Sequence, residues 1–315
     1  MVHLDFEKPI IELENKITEL QHLSSTDFSI TGEITRLREK VHTLLEKTYG
    51  SLTPWQTVQV ARHPDRPHTQ AIIDHLITDF TELHGDRNFG DDRAIIGGIG
   101  RFRGTRCVII GHEKGNDTES RIRHNFGMPL PEGYRKTQRL MKLANRFKIP
   151  VVAFIDTAGA HPALEAEERG QHQAIAESIE VTLNLRVPVV CIITGEGMSG
   201  GAIAIGAGNA VCMLEHAIYT VISPEGCAAI LWKTADKKQE AATAQKLTAQ
   251  DLLGLKIIDE VIKEPLGGAH RNRQDAMAAI GDALERQLIR LMRIPDGDIR
   301  QHRWDRFLHI SRKVS

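Results

Sequence analysis

Apolar positions follow a helical period at the amino terminus of this chain. They recur every three or four residues over residues 9–23 and again over 34–45. The spacing predicts two amphipathic helices, the first opened by Pro9 and the two joined by a polar turn at 24–27. We therefore expect a helical hairpin, residues 1–45, whose apolar stripe packs either on the rest of the chain or on another subunit.

Farther along the chain, short apolar runs alternate with helical patterns. A helix is predicted over 72–80, and from Ile95 onward strands and helices take turns, up to an amphipathic helix at 275–294. This alternation predicts an α/β fold with largely parallel strands covered on both faces, in one domain over 46–294. The spacing leaves two arrangements open, a doubly wound sheet and stacked ββα units. The basic remainder, 295–315, is predicted to be mobile or peripheral.

The stretch 187–208 has the clearest chemical character. A buried strand is predicted over 187–194, followed by closely spaced glycines and a second apolar run from Ala202. A strand that leads into a helix presents unpaired backbone N–H groups at the helix start, and such groups attract negative charge. We expect Gly200 and Gly201 to stabilise an oxyanion, with Ser199 as a small residue or a helix cap. A tight turn that simply needs glycine is the structural alternative.

The same stretch contains two well-known patterns. Residues 195–200 spell GxGxxG, which is typical of dinucleotide-binding oxidoreductases, but too few residues separate them from the next strand for a long crossover helix. Residues 197–201 spell GxSxG, the nucleophile elbow of serine hydrolases, with Ser199 as nucleophile. That reading needs a histidine and an acid, and neither His216 nor His270 lies in a telling context. Both patterns remain as alternative hypotheses.

Two further segments supply candidate binding residues. A strand predicted at 149–155 ends in Asp156 and a run of small residues, of which Gly159 and Ala160 would let a ligand lie against the backbone. Asp156 is interpreted as capping the following turn, with an acid–base role as the alternative. A helix over 134–147 carries a basic stripe that includes Arg135 and Arg139. This stripe is either a solvated face or a contact for an anionic ligand or an acidic partner.

Composition excludes several classes of function. The 315 residues are 41% hydrophobic and 26% charged with a net charge of −1, so no global field attracts nucleic acid or a membrane. Four cysteines without CxxC spacing indicate free thiols in a reducing compartment and no zinc site in this chain. No signal core or run of about 18 apolar residues is evident, which predicts a cytoplasmic protein.

Nine segments in order resemble one family. They are RHPDRP (62–67), GDR (85–87), AIIGGIGR (94–101), RHNFGMPLPEGYRKTQRLM (123–141), FIDTAGAHP (154–162), EERGQ (167–171), GEGMSGGAIAIG (195–206), YTVISPEGCAAILW (219–232) and EPLGGAHRN (264–272). Together they resemble the carboxyltransferase α subunit of multi-subunit acetyl-CoA carboxylase, over about residues 5–290. Small departures from the family occur at His161, Leu164 and Met198, and the carboxyl-terminal tail resembles it least.

The resemblance implies a ClpP/crotonase-type fold of stacked ββα units. It also implies a biotin-dependent transferase that moves a carboxyl group from carboxybiotin to acetyl-CoA, giving malonyl-CoA for fatty acid biosynthesis. The implied assembly is an α2β2 heterotetramer whose β subunit carries a zinc ribbon and most of the acetyl-CoA site. A biotin carboxyl carrier protein and an ATP-using biotin carboxylase complete it.

By the same resemblance, Gly200 and Gly201 hold the biotin carbonyl oxygen. Gly159, Ala160, Gly197 and Ser199 lie along the substrates. Arg135 and Arg139 are expected to meet either the CoA phosphates or the acidic carrier domain. We expect no metal in this chain.

Overall fold

The computed structural model describes residues 3–23, 28–295 and 297–310. The strands are β1 (Ile77–Glu82), β2 (Ile95–Phe102), β3 (Thr105–His112), β4 (Val151–Thr157), β5 (Val189–Met198), β6 (Ala210–Leu214), β7 (Ile218–Thr220) and β8 (Glu260–Ile262). The helices up to the site are α1 (Lys8–Leu23), α2 (Phe28–Tyr49), α3 (Pro54–Ala61), α4 (Thr69–Leu76), α5 (Thr118–Arg123), α6 (Pro131–Phe147), α7 (Leu164–Glu168), α8 (Gln171–Asn184) and α9 (Ser199–Gly206). They are followed by α10 (Pro224–Trp232), α11 (Lys238–Gln245), α12 (Ala249–Gly254), α13 (Arg273–Met292) and α14 (Ile299–Ile310).

The strands form one sheet in the order β1-β2-β3-β4-β5-β6-β8, and β7 pairs with the end of β5. Pairing is antiparallel from β1 to β3 and parallel from β3 to β8. Every residue of β4 and β5 is buried, as expected for central parallel strands covered on both faces. The carboxyl ends of the parallel strands share one edge of the sheet, and the candidate site lies there.

Two predicted boundaries are wrong. The helix predicted over 72–80 ends at Leu76, because Ile77 already pairs with Phe102 as the first residue of β1. The strand predicted to stop at Thr194 continues to Met198, because Gly197 pairs with both Thr157 and Tyr219. In both places pairing with a distant strand overrides the local pattern.

The amino-terminal hairpin is present and its second helix extends beyond residue 45 to Tyr49. Its apolar stripe forms a cluster of buried residues with Val60 of α3. Buried Glu7 accepts hydrogen bonds from Tyr49 Oη at 3.0 Å and Arg271 Nε at 3.2 Å, which ties the hairpin to the body of the chain. The predicted turn at 24–27 lies outside the described residues.

The expectation of a peripheral carboxyl-terminal tail is wrong for residues 299–310. They form α14, and the fully buried Arg303 donates hydrogen bonds to the carbonyls of Leu185 and Val187, at 2.8 Å each. A guanidinium group can donate hydrogen bonds to several carbonyl oxygens at once, so a basic residue joins separate backbone segments inside the core here. Residues 311–315 lie outside the described part of the chain. Within that part, no helix combines the length and the apolar character needed to cross a membrane.

Candidate oxyanion site at the carboxyl edge of the sheet

The site begins where β5 turns into α9. Ser199 adopts a φ of 54°, which breaks the strand and starts the helix in a single residue. No side chain caps this helix start among the described residues. The first N–H groups of a helix have no partner within the helix, and here they include those of Gly200 and Gly201.

The end of β4 lies directly against this helix start. A Cβ placed on Gly201 would lie 2.7 Å from both the amide nitrogen of Ala160 and the carbonyl carbon of Gly159. Gly159 itself has a φ of 132° and open space where a Cβ would be. Thr157 Oγ1 fixes this loop by accepting the Gly159 N–H at 3.0 Å and donating to the Gly159 oxygen at 2.9 Å. The two segments therefore meet backbone to backbone.

The meeting point opens into a cavity of about 470 Å³. Gly159, Ala160, Ser199 and Gly200 line this cavity, and Gly201 is buried behind them. A second, more apolar cavity of about 520 Å³ shares Ser199 and Gly200 with the first and is also lined by Tyr219, Val221 and Leu252 among others. Five of the predicted site residues are thus brought together, whereas Gly197 is buried inside β5 and lines neither cavity.

Arg135 and Arg139 have other partners. Arg135 pairs with Asp86 at 3.0 Å and Glu132 at 2.9 Å. Arg139 donates to the carbonyls of Gly85 and Leu83 at 3.1 and 2.8 Å. Both guanidinium groups hold the loop before β2 against α6, and neither lines the site cavity. The basic stripe was visible in the sequence, but its function in the structure is to anchor a loop.

Beneath the cavity lies a buried set of charges that sequence reasoning did not assemble. Lys114 Nζ lies 2.7 Å from Asp156 Oδ1 and 2.7 Å from Glu196 Oε2. Burial opposes ionisation of both acids, but the Lys114 ammonium outweighs it and lowers the pKa of Asp156 and of Glu196. Burial likewise opposes the charge on Lys114, and the two carboxylates raise its pKa. All three groups are therefore charged around neutral pH.

The geometry does not form the two alternative sites. His216 and His270 pack around Tyr49 under the hairpin, with ring centroids at 5.5 and 6.5 Å from it, and so do not serve Ser199. His161 lines the cavity, but its ring already pairs with Asn125 and Glu165. For dinucleotide binding, Gly195 and Gly197 would have to form a turn, yet both lie within β5.

Comparison with solved structures identifies the fold. A transcarboxylase 12S chain, from a structure with methylmalonyl-CoA and methylmalonic acid bound, matches at a TM-score of 0.58 and 18% identity, over 75% of this chain and 45% of that one. A chain of a Pseudomonas malonate decarboxylase heterotetramer with coenzyme A matches at a TM-score of 0.57 and 14% identity, over 70% and 89%. The fold is the crotonase type shared by carboxyltransferases, which resolves the choice between a doubly wound sheet and stacked ββα units.

Sequence comparison then gives the family. Residues 3–311 match the model of the acetyl co-enzyme A carboxylase carboxyltransferase-like family. The acetyl-coenzyme A carboxylase carboxyl transferase subunit alpha of Paramagnetospirillum magneticum is 58% identical over 98% of both chains. This chain belongs to that biotin-dependent carboxyltransferase family.

Proposed function

We propose that this chain is the α subunit of a cytoplasmic carboxyltransferase that moves the carboxyl group of carboxybiotin to acetyl-CoA, giving malonyl-CoA. The observation that carries the proposal is the uncapped start of α9, which lies beside the Gly159–Ala160 backbone at a shared cavity. Carboxybiotin on a carrier protein supplies the carboxyl group and a ureido oxygen on which negative charge develops. The N–H groups of Gly200 and Gly201 are placed to hold that oxygen.

This chain contributes binding and electrostatic stabilisation in the proposed reaction. Backbone N–H groups aimed at a developing anion cost no reorganisation during the reaction, and each such donor is worth about 2.7–4 kcal/mol of barrier. Gly159 lets the ligand lie on the backbone, since there is open space where a Cβ would be, and Ala160 beside it carries only a methyl group. Ser199 then needs no nucleophilic role. Arg135 and Arg139 are proposed to act on the substrates only indirectly, through the loop that they anchor.

The cavity residues do not offer a shielded protein base. His161 is engaged by Asn125 and Glu165, and Glu167 and His172 are exposed and lie 3.8 Å apart. A stand-alone hydratase or isomerase would need a buried carboxylate facing the substrate. The buried carboxylates Asp156 and Glu196 are paired with the Lys114 ammonium group and do not line the cavity, so they do not serve as such a base.

The β subunit is the proposed partner at this face, in an α2β2 assembly. Val221 is 81% exposed and lines both cavities. Three more exposed apolar side chains, Ile230, Leu231 and Trp232, lie at the end of α10, the helix that begins three residues after Val221. Exposed apolar surface next to a reaction site is typical of a subunit interface. The β subunit would supply the acetyl-CoA site and a zinc ribbon. Within the described residues of this chain, no cluster of metal ligands occurs.

The direct test is reconstitution. The chain is mixed with purified β subunit, biotin carboxyl carrier protein, biotin carboxylase, ATP and acetyl-CoA, and malonyl-CoA is followed. We expect turnover only when both this chain and the β subunit are present. Turnover by this chain without the β subunit would contradict the proposal. Undiminished turnover when this chain is left out would contradict it as well.

The proposed interface is tested by measuring the Kd between variants of this chain and the β subunit. Leu231→Glu should weaken association with the β subunit at least tenfold in Kd, because a carboxylate in an apolar contact loses its hydration. Phe147→Glu is the matched control: Phe147 is 61% exposed at the end of α6, at the amino edge of the sheet. Equal affinities for the two variants would place the β subunit elsewhere.

A further inference from the structure

The candidate is the buried lysine beneath the site. The side chain of Lys114 is 13% exposed, and those of Asp156 and Glu196 are 3% and 8% exposed. Lys114 follows β3, Asp156 is the penultimate residue of β4 and Glu196 lies near the end of β5. One ammonium group therefore joins three neighbouring strand ends at the edge of the sheet that carries the site.

The two carboxylates lie only a few residues before the glycines that line the cavity. Asp156 comes three residues before Gly159, and Glu196 comes four residues before Gly200. Asp156 Oδ1 also accepts the N–H of Glu196 at 2.9 Å, and a Cβ on Gly195 would lie 2.5 Å from that oxygen. The separation of the two strand ends is thus set by contacts that Lys114 completes.

Further charged groups surround this cluster from other elements. Arg62, after α3, donates to Glu196 at 2.7 Å and to Glu225 of α10 at 2.6 Å. His68, before α4, pairs with Asp156 Oδ2 at 3.1 Å. His112 of β3 is also near, and burial lowers its pKa to about 4, so its ring is neutral. No second ammonium group is in contact with Asp156 among the described residues.

We propose that Lys114 is a positioning residue: it holds the ends of β4 and β5 at the separation at which the Gly159–Ala160 backbone and the start of α9 meet at one cavity. The inference rests on the proposed carboxyl transfer. A misplacement of about 1 Å in a preorganised site can cost about a hundredfold in rate, so a clamp that never touches substrate can control turnover.

Removing the ammonium group has a specific electrostatic consequence. In Lys114→Met, Asp156 and Glu196 lose their shared cation and keep only His68 and Arg62 among the described side chains, and Arg62 is also engaged by Glu225. Two such carboxylates cannot both stay ionised at low cost, so one takes up a proton with a raised pKa. The proton partly replaces the lost charge, and activity should therefore recover as the pH falls. A purely structural lysine would give no such recovery.

The test uses the reconstituted complex with Lys114→Met and with Arg303→Met as matched control. Arg303 is also a fully buried cation, but it holds the amino ends of β5 and β6, about 30 Å along the strands from the site. Thermal midpoints, kcat, the KM for acetyl-CoA and the pH profile are measured for both variants. The Lys114→Met/Glu196→Gln double variant removes one charge of each sign. The same quantities are measured for it, so that the test can still be made if the single variant fails to fold.

We expect both single variants to lose thermal stability. Only Lys114→Met should lose kcat, by about ten- to a hundredfold with KM unchanged. The kcat of Lys114→Met relative to wild type should rise as the pH is lowered from about 8.5 to 6.5. The double variant should lose that pH dependence and recover part of the lost kcat. Wild-type kcat in Lys114→Met, or equal kcat losses in the Lys114 and Arg303 variants, would overturn the inference. An inactive wild-type complex would instead refute the proposed function.

Discussion

At the scale of single residues, two adjacent glycines have different steric constraints. Gly200 and Gly201 are neighbours at the start of α9, yet a Cβ on Gly200 would make an ordinary contact of 3.4 Å with Ile175, whereas one on Gly201 would press on the backbone of Gly159 and Ala160 at 2.7 Å. A flexible side chain can give way, but backbone cannot without moving the loop. The strict need for glycine therefore lies at Gly201.

This difference predicts the outcome of two matched variants. Gly201→Ala should lower kcat by about a hundredfold, because the Gly159–Ala160 backbone must shift, while Gly200→Ala should keep kcat within about fivefold. Steady-state kinetics of the reconstituted complex measure both. Comparable kcat values for the two variants would remove the close approach from the account of the site.

Ser199 provides a second test at this scale. Its φ of 54° is unusual for a non-glycine residue and starts the helix where GxSxG would place a nucleophile. His161, His216 and His270 are not positioned as its base. Ser199→Ala should therefore retain at least about a third of wild-type kcat, whereas loss of a true nucleophile costs on the order of 10⁴-fold or more. Nearly complete loss of transfer in Ser199→Ala would return the hydrolase hypothesis.

At the scale of elements, the amphipathic hairpin α1–α2 packs on the body of the chain. Its stripe was evident from the spacing of apolar residues, but the stripe alone did not say what it packs on. The structure joins it to the body through Arg271, which donates to Glu7 at 3.2 Å and to Glu14 at 2.7 Å. The hairpin is therefore held by a buried ion pair as well as by apolar contacts.

Breaking that ion pair should free the hairpin locally. Arg271→Met leaves the Glu7 carboxylate buried without its guanidinium partner, a loss of about 3 kcal/mol, and should raise hydrogen exchange in α1. Lys16→Met is the control, because its 3.6 Å pair with Glu33 is exposed and contributes under about 1 kcal/mol. Unchanged exchange in the Arg271 variant would show that apolar packing alone holds the hairpin.

At the scale of the whole molecule, buried carboxylates join distant parts of the chain. The side chain of Glu264 is fully buried, and it accepts hydrogen bonds from Arg66 at 2.7 and 2.9 Å and from the His216 N–H at 3.0 Å. Burial opposes its ionisation, but Arg66 outweighs burial and lowers the pKa of Glu264 from 4.5 to about 2. For Glu7, burial is likewise outweighed, by the His270 ring at 3.9 Å and by hydrogen bonds from the Leu4 N–H and Tyr49, and the pKa falls from 4.5 to about 2.

These shifts set the response to acid. Since the folded pKa values lie below the unfolded ones, the stability contributed by both carboxylates is complete above about pH 4.5 and is lost as the pH falls toward 2. The free energy of unfolding should drop by several kcal/mol between about pH 5 and 3, measured by urea titration. Glu264→Gln should be less stable at pH 7 and show a shallower drop. A flat profile for the wild-type chain over this window would contradict the argument.

The sequence by itself determined the α/β alternation, the amphipathic hairpin and the glycine-rich start of α9, because local periodicity and glycine's lack of a Cβ operate over a few residues. Only the tertiary structure decided that β5 runs on to Met198, that α4 gives way to β1 at Ile77 and that Arg303 enters the core. It also brought Lys114, Asp156 and Glu196 together from three separate strand ends. Strand pairing and buried charge depend on groups far apart in the chain, and no local pattern records which of them will meet.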